Sequence, residues 1–404
     1  MFNYQKHLSG CLDALRREKR YRFFKELGRR CGEFPQAGLH NSGPVRDISI
    51  WCSNDYLGMG QHHKVLAAMH EALETFGAGA GGTRNISGNH RLIVALEHEL
   101  ADLHRKEAGL VFSSGYVANE TALSTLGQLL PNVMILSDSH NHASMIEGIK
   151  HSRAEKKVFR HNDLEDLEAQ LRAVDPARPK LIAFESLYSM DGDFAPLREI
   201  VQLAKKYNAL TFVDETHAVA LYGARGGGVI EREGLLDEVD IIQGGLGKGF
   251  GVVGGFITGS KEIVDVVRSY GAGFIFTTAL PPTVAAGALA SIRHLKTSSI
   301  ERTQLFETVE KVRAKLLAAN LPVKHTESQI LPLMVGDSAL CQQTSDMLLD
   351  NYDIYIQPIN YPTVPRGTER LRITPSPLHT DAMTEHLTDS LVSIWAQLQL
   401  QAAA

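Results

Sequence analysis

Cysteine is scarce: the 404 residues hold four, Cys11, Cys31, Cys52 and Cys341, with no paired spacing. A disulfide framework and a zinc ribbon are therefore not indicated. No apolar run approaches the roughly 18 residues that a membrane helix needs. The opening Met-Phe-Asn-Tyr-Gln-Lys-His carries neither a signal-peptide core nor an Arg/Ser-rich transit pattern, so a cytoplasmic, reduced location is expected. Charge of one sign is also lacking, with 41 Lys and Arg against 46 Asp and Glu. Without a basic field, neither nucleic acid nor a membrane surface is an expected partner. Pro/Ser-rich linkers, internal repeats and low-complexity tracts are missing, apart from a short Ala run at 402–404.

Glycine, by contrast, is present and unevenly spread. Of 35 glycines, four fall in 77–82, four in 223–228 and seven in 244–255. Such clusters let backbone approach a ligand or another backbone closely. From about residue 92, amphipathic segments at 92–108, 163–174 and 196–207 alternate with short apolar runs starting at Leu110, Val133, Leu181, Leu210, Val239 and Gly255. That rhythm predicts an α/β fold with a mostly parallel sheet buried on both faces. Residues 1–50 read as a helix carrying the basic stretch Arg16 to Arg22, then irregular chain. Residues 281–319 read as helical and 320–399 as strand, helix, two short strands and helix, a smaller C-terminal α+β domain. The expected division is an N-terminal segment 1–55, a large domain 56–290 and a small domain 291–404.

Ligands of open α/β sheets bind beyond the carboxyl ends of the strands, so the polar residues closing each run matter most. Leu136 leads into Ser137-Asp-Ser-His-Asn-His142, Phe184 into Glu185-Ser-Leu-Tyr-Ser189, Val213 into Asp214-Glu-Thr-His217, and Ile242 into Gln243-Gly-Gly-Leu-Gly-Lys248. An isolated Lys is usually a solvated charge, yet Lys248 lies among glycines just after an apolar strand. A Lys held against a dry site becomes a Schiff-base nucleophile. The phosphate-loop alternative fails, because Ile242 stands at the first required Gly and Gly249 at the Ser/Thr. Gly77-Ala-Gly79-Ala-Gly-Gly82 matches a dinucleotide fingerprint in letters but follows a helical pattern rather than a strand. Asp214 is suited either to capping a helix or to keeping a pyridine nitrogen protonated, as pyridoxal-phosphate sites require. His217 is then in reach of a ring hydroxyl, and His142 offers a flat face or simply starts a helix. A metal set of His140, His142, Glu185 and His217 is compatible with composition but leaves the Lys248 loop unexplained. Thr277 and Thr278 follow the strand-like Phe274-Ile-Phe and suit a phosphate. Arg372, on a short strand, is either solvated or a fork for a carboxylate.

Taken together, several motifs resemble the 5-aminolevulinate synthases, α-oxoamine synthases among the fold-type I pyridoxal-phosphate enzymes. They are Gly81-Gly-Thr-Arg-Asn-Ile-Ser-Gly88, Asn141-His-Ala-Ser-Met-Ile-Glu-Gly148, Glu185-Ser-Leu-Tyr-Ser-Met-Asp-Gly-Asp193, Asp214-Glu-Thr-His217, Leu246-Gly-Lys248 and Pro362-Thr-Val-Pro-Arg-Gly-Thr-Glu-Arg-Leu-Arg372. The resemblance runs from about Tyr21 to the C-terminal helix. It implies a fold-type I transferase with a mostly parallel seven-stranded sheet, helices on both faces and a small C-terminal α+β domain. It further implies a homodimer with shared active sites, acylating glycine with succinyl-CoA to give 5-aminolevulinate, CoA and CO₂, the first step of tetrapyrrole synthesis. By the same matching, Lys248 holds the cofactor, Asp214 its ring nitrogen and His217 its phenolic oxygen, with His142 stacked on the ring as the fourth catalytic residue. Ser189 lies near the cofactor, Ser114, Gly115 and Tyr116 cradle the phosphate, and Thr277 and Thr278 reach it from the neighbouring subunit. Arg372 corresponds to the glycine carboxylate binder. Arg22, Thr83, Asn85, Ser137, Lys156 and Thr363 match substrate-contacting positions, Arg22 and Thr83 towards the succinyl group.

Three positions depart from the family pattern: Gly245 for the usual Thr beside the phosphate, Ala220 for Gly, and Gly249 for Ala. The absent hydroxyl is expected to weaken cofactor retention, and Gly245→Thr to lower the dissociation constant. Residues 223–228 are expected to form a mobile interface loop. No Cys precedes a Pro, so feedback through a haem-binding Cys-Pro motif is not expected. The alternatives are a secondary-metabolism relative that makes and cyclises aminolevulinate, an α-oxoamine synthase using another acyl-CoA, and a non-catalytic pyridoxal-phosphate binder.

Overall fold

The computed structural model describes residues 2–18, 20–40 and 43–402. The chain divides into two compact units, one of residues 54–189 and 193–303, the other of residues 2–53, 190–192 and 304–402. The N-terminal residues thus cluster with the C-terminal ones, and the helix Ile300–Ala318 spans the boundary.

The larger unit is built on a seven-stranded sheet. In spatial order its strands are Ala108–Phe112, Gly255–Gly259, Ile241–Gly245, Ala209–Asp214, Lys180–Glu185, Met134–Asp138 and Glu155–Phe159. Only Gly255–Gly259 runs against its neighbours; the pairs from Ile241–Gly245 outward to Glu155–Phe159 are all parallel. Successive residues Leu181, Ile182, Ala183 and Phe184 are all 0% exposed. Because successive side chains on a strand point to opposite faces, both faces of the sheet are covered, as continuous apolar runs require. Amphipathic helices Arg91–Leu103, Leu164–Arg172 and Leu197–Lys206 occupy the segments whose spacing predicts them. Phe274 belongs instead to a one-turn helix, Ala272–Ile275, so the strand expected before Thr277 does not form.

The smaller unit carries more β-structure than its sequence suggests. Leu27–Arg29, Gln36–Leu39 and Arg46–Ile50 form an antiparallel sheet that Ile354–Tyr355 joins in parallel. These strands are three to five residues long and rich in Gly and charge, so alternation is too short to read. A second sheet places Arg370–Ile373 between Leu331–Met334 and Pro358–Ile359.

Residues 190–192 are fastened within this unit by charge. The Asp191 carboxylate accepts from Lys324 Nζ at 2.6 Å and from Arg370 Nη1 at 2.8 Å, and Arg370 is only 3% exposed. These two bonds outweigh burial and lower the Asp191 pKa to about 2. A depressed carboxyl pKa contributes stability that is present above the unfolded value and lost as pH falls. The contribution is therefore complete near neutral pH and disappears between about pH 4 and pH 2. Asp191→Asn is expected to cost about 3 kcal/mol at pH 7, because Arg370 keeps its buried charge and loses its counter-ion. The same substitution should cost almost nothing in urea melts below about pH 2, whereas a pH-independent loss would refute the ion-pair explanation.

Candidate active site

The larger unit brings the strand-end residues together. Its parallel strands end side by side, so Asp138, Glu185, Asp214 and Gly245 share one edge of the sheet. Asp214 is 5% exposed, and both carboxylate oxygens are held. Oδ2 accepts from Asn119 Nδ2 at 2.6 Å and Oδ1 from the Thr216 main-chain N–H at 2.8 Å. Asp214 therefore caps its own turn and also presents a fixed carboxylate. His217, 7% exposed, shares a 2.7 Å hydrogen bond between Nδ1 and the hydroxyl of Tyr56. His142 caps the helix Ala143–Ser152, its ring nitrogen Nδ1 lying 2.8 Å from Ser144 Oγ. Its main-chain N–H donates to Glu185 Oε1 at 2.7 Å, while the residue stays open to solvent.

Lys248 is half-buried, three residues beyond the strand Ile241–Gly245. Its charge acts on both His142 and Glu185, which places the amine beside the strand-end cluster. Glu185 is buried, and burial first, then the neighbouring Asp214 charge, raises its pKa well above the usual carboxylate range. Burial likewise pushes Glu215 up to about 7. Glu215 accepts from the main-chain N–H groups of Val229 and Ile230 at 3.0 and 2.7 Å. Glu231 similarly takes the Gly227 N–H at 2.7 Å. Segment 223–228 is thus a turn held by the Glu231 carboxylate, with Glu215 holding the two residues just beyond it and residues 226–228 buried, rather than the loose loop expected.

Ser114 caps the 15-residue helix Gly115–Leu129, its hydroxyl accepting from Val117 N at 3.2 Å. A Cβ on Gly255 would lie 2.5 Å from Gly115 N, so the chain past Lys248 runs directly against this helix start. Free amides at a helix N-terminus favour an anion. Ser189 and Ser137 are buried, and the Ser137 hydroxyl accepts from Asn141 Nδ2 at 2.9 Å. Thr83 pairs with Thr278 as an isolated antiparallel bridge, reinforced by Ala279 N donating to Gly82 O at 3.0 Å. Asn85 sits one turn on, in a short π-helix, Arg84–Gly88, and is exposed. Lys156 is not with the others: it is exposed near the amino end of the edge strand Glu155–Phe159. In the smaller unit, Arg22 Nη2 lies 3.4 Å from Thr363 Oγ1, and Arg372 is 5% exposed on Arg370–Ile373.

The donor set of the larger unit fits pyridoxal phosphate. Asp214 can accept from a ring nitrogen, His217 can bond a ring hydroxyl, His142 presents an open aromatic face, Lys248 supplies an amine, and the start of Gly115–Leu129 supplies amides. The metal alternative is not supported. Among the described residues, the ligand atoms that converge are those of His62, His294 and Glu301, not of His140, His142, Glu185 and His217. Sequence reasoning misses Asn119, Tyr56 and Ser144. The one available signal is polarity out of place, such as an amide in the apolar helix Gly115–Leu129.

The family departures at positions 220 and 249 are one contact. A Cβ on Gly249 would come within 2.7 Å of the Ala220 Cβ, and Ala220 itself has φ of 72°, a left-handed conformation that favours glycine. At position 245 a Cβ would meet Thr216 Cγ2 at 2.9 Å. The β-branched Thr216 has little freedom to yield, so Gly245→Thr is now expected to weaken cofactor binding rather than improve it.

Residues 46–391 match the family model described as aminotransferase class I and II. A 5-aminolevulinate synthase of Bradyrhizobium diazoefficiens is 56% identical over 98% of this chain and 97% of its own. That of Rhizobium meliloti is 56% identical over 97% of each. Among solved structures, one of SPT with PLP superposes with a TM-score of 0.91 at 30% identity, covering 98% of this chain and all of the other. The serine palmitoyltransferase of Sphingomonas wittichii gives 0.90 at 29% identity, covering 98% of each chain.

Proposed function

This chain belongs to the 5-aminolevulinate synthases, and from that premise we propose that it condenses glycine with succinyl-CoA, releasing CoA, CO₂ and 5-aminolevulinate. The observation that supports the assignment of roles is the shared strand edge: Asp214 closes one strand, His217 lies three residues beyond it, and the charges of Asp214 and Lys248 both act on His142. Pyridoxal phosphate bound there would supply a carbonyl that takes up amines and a ring that accepts the electron pair left by a departing proton or carboxyl group.

The residues perform the rest. The Asp214 carboxylate, fixed by Asn119 and the Thr216 amide, would keep the ring nitrogen protonated. His217, held by the Tyr56 hydroxyl at Nδ1, would bond the ring hydroxyl. His142 covers one face against water and is steadied by Ser144 and Glu185. Lys248 Nζ removes the glycine Cα proton, a role that suits an amine already at the reacting carbon. The glycine carbon then bonds to the succinyl carbonyl, CoA leaves as the thiolate, and the original glycine carboxylate departs as CO₂. Lys248 returns the proton to that carbon. Arg372 takes the glycine carboxylate before its loss, a planar fork suited to that anion. Ser189 would support the cofactor, and Thr83, Asn85, Ser137 and Thr363 are assigned to the acyl-CoA by their match to the family's substrate-contacting positions. Exposed Lys156 suits a phosphate of the CoA tail, which lies far from the thioester.

Arg22, next to Thr363, is the cation for the distal succinyl carboxylate. Arg22→Leu is expected to raise KM for succinyl-CoA by about tenfold, the effect of one charge-assisted bond at a solvent-open site. KM for glycine should be unchanged. A rise in both, or in neither, would remove Arg22 from this role.

We also propose a homodimer. Ile86, beside Asn85, is 77% exposed, and Phe276, beside Thr277, is 80% exposed. Apolar side chains this open next to functional residues favour cover by a second copy, and Thr277 and Thr278 would then serve the partner's cofactor phosphate. Light scattering should give twice the chain mass. A monomeric mass with full activity would dismiss the shared site.

A further inference from the structure

Three backbone segments without side chains meet at the start of helix Gly115–Leu129. A Cβ on Gly115 would lie 3.6 Å from Gly245 Cα, and one on Gly255 would lie 2.4 Å from Ser114 O. Into this bare floor projects the Thr216 hydroxyl. It lies 3.6 Å from the Cβ position of Gly115 and 3.4 Å from that of Gly245. The Thr216 methyl, Cγ2, is closer still at 2.9 Å, so Thr216 as a whole fills the space where a side chain on residue 245 would begin.

The hydroxyl is incompletely used. It donates to Gln243 Oε1 at 3.2 Å, long for an O–H···O bond, which usually measures about 2.7–2.8 Å. Gln243 is 0% exposed and its amide group is fixed by bonds from Nε2 to the carbonyls of Gly115 and Gly244. Oε1 therefore cannot follow the hydroxyl to shorten the bond. A phosphate oxygen at the helix start would be a stronger, charged acceptor, and the hydroxyl hydrogen would reach it by turning about the Cβ–Oγ bond, with the side chain itself unmoved. Thr216 is half-buried, which leaves that side accessible.

We propose that Thr216 donates its hydroxyl to the cofactor phosphate, and that position 245 is glycine because Thr216 occupies its side-chain space. The inference rests on the cofactor placement proposed above and assigns a ligand within it. Residues 216 and 245 are then a coupled pair, of which only one can carry a side chain at this spot.

Binding to full-length protein stripped of cofactor tests this, with pyridoxal phosphate and pyridoxal titrated separately and followed by absorbance. Thr216→Val, which keeps the shape, should raise Kd for pyridoxal phosphate about tenfold or more, as loss of a bond to a charged group does. It should leave Kd for pyridoxal, which has no phosphate, within about twofold, and Thr216→Ser should restore wild-type affinity for both. Gly245→Thr should bind pyridoxal phosphate more weakly than wild type, and T216A/G245T more tightly than either single variant. A Thr216→Val penalty equal for both ligands, or absent for both, would overturn the proposal while leaving the cofactor site standing. Failure of the wild-type protein to take up pyridoxal phosphate at all would overturn the cofactor placement itself.

Discussion

Lys248→Ala lowers turnover by on the order of 10⁴-fold or more and abolishes covalent attachment of the cofactor. The expectation follows from two separate losses. General acid–base work of one side chain contributes about 10²–10⁴-fold, and this residue is also the amine that holds the cofactor in place between turnovers. Lys248 is half-buried among glycines, and Ala leaves no charge unpaired in its place, so the variant should melt close to wild type. Borohydride treatment of wild type should fix the cofactor to the peptide containing Lys248, and the same treatment of the variant should fix none. Lys248→Arg sharpens the test, because it keeps the positive charge beside Glu185 but cannot lose its proton at working pH. Substantial turnover in either variant would remove Lys248 from the centre of the chemistry.

Asp214→Asn is expected to lower kcat by about 10²–10³-fold, the usual scale for deleting one preorganised charge. The amide matches the carboxylate in shape, and its oxygen can still accept from the Thr216 N–H. The facing Asn119 amide, which now donates at 2.6 Å, would meet another amide and can flip to accommodate it. What cannot be recovered is the negative charge that keeps a ring nitrogen protonated, and the electron-accepting power of the ring falls with it. Binding of the cofactor should survive, because Lys248 and the helix start are untouched. A variant within tenfold of wild-type kcat would mean that Asp214 serves the turn rather than the reaction.

The larger unit was legible because its strands are buried on both faces and write themselves as unbroken apolar runs. Each run ends in polar residues at the sheet edge where chemistry collects. The smaller unit was less legible, since strands of three to five residues such as Leu27–Arg29 are held by partners distant in sequence. The supporting residues escaped for a related reason. Asn119 reaches Asp214 across 95 positions and Tyr56 reaches His217 across 161, and no local pattern marks such pairs. The departures at 220, 245 and 249 look like three independent losses in one dimension. In space, 220 touches 249 and 245 faces Thr216, and with that neighbour in view the expected sign for Gly245→Thr reverses. The turn at 223–228 misled for the opposite reason: its glycines suggested looseness, but they are there because the Glu215 and Glu231 carboxylates lie against the backbone.

The central claim concerns which carbon is lost. Purified protein loaded with pyridoxal phosphate should be given glycine labelled at its carboxyl carbon together with succinyl-CoA. The account predicts equal amounts of CoA, CO₂ and 5-aminolevulinate, with all of the label in CO₂ and none in the amino ketone. It also predicts that acetyl- and long-chain acyl-CoA are poorer acyl donors. Label retained in the product, CO₂ released without 5-aminolevulinate, or a preferred acyl-CoA other than succinyl would contradict it.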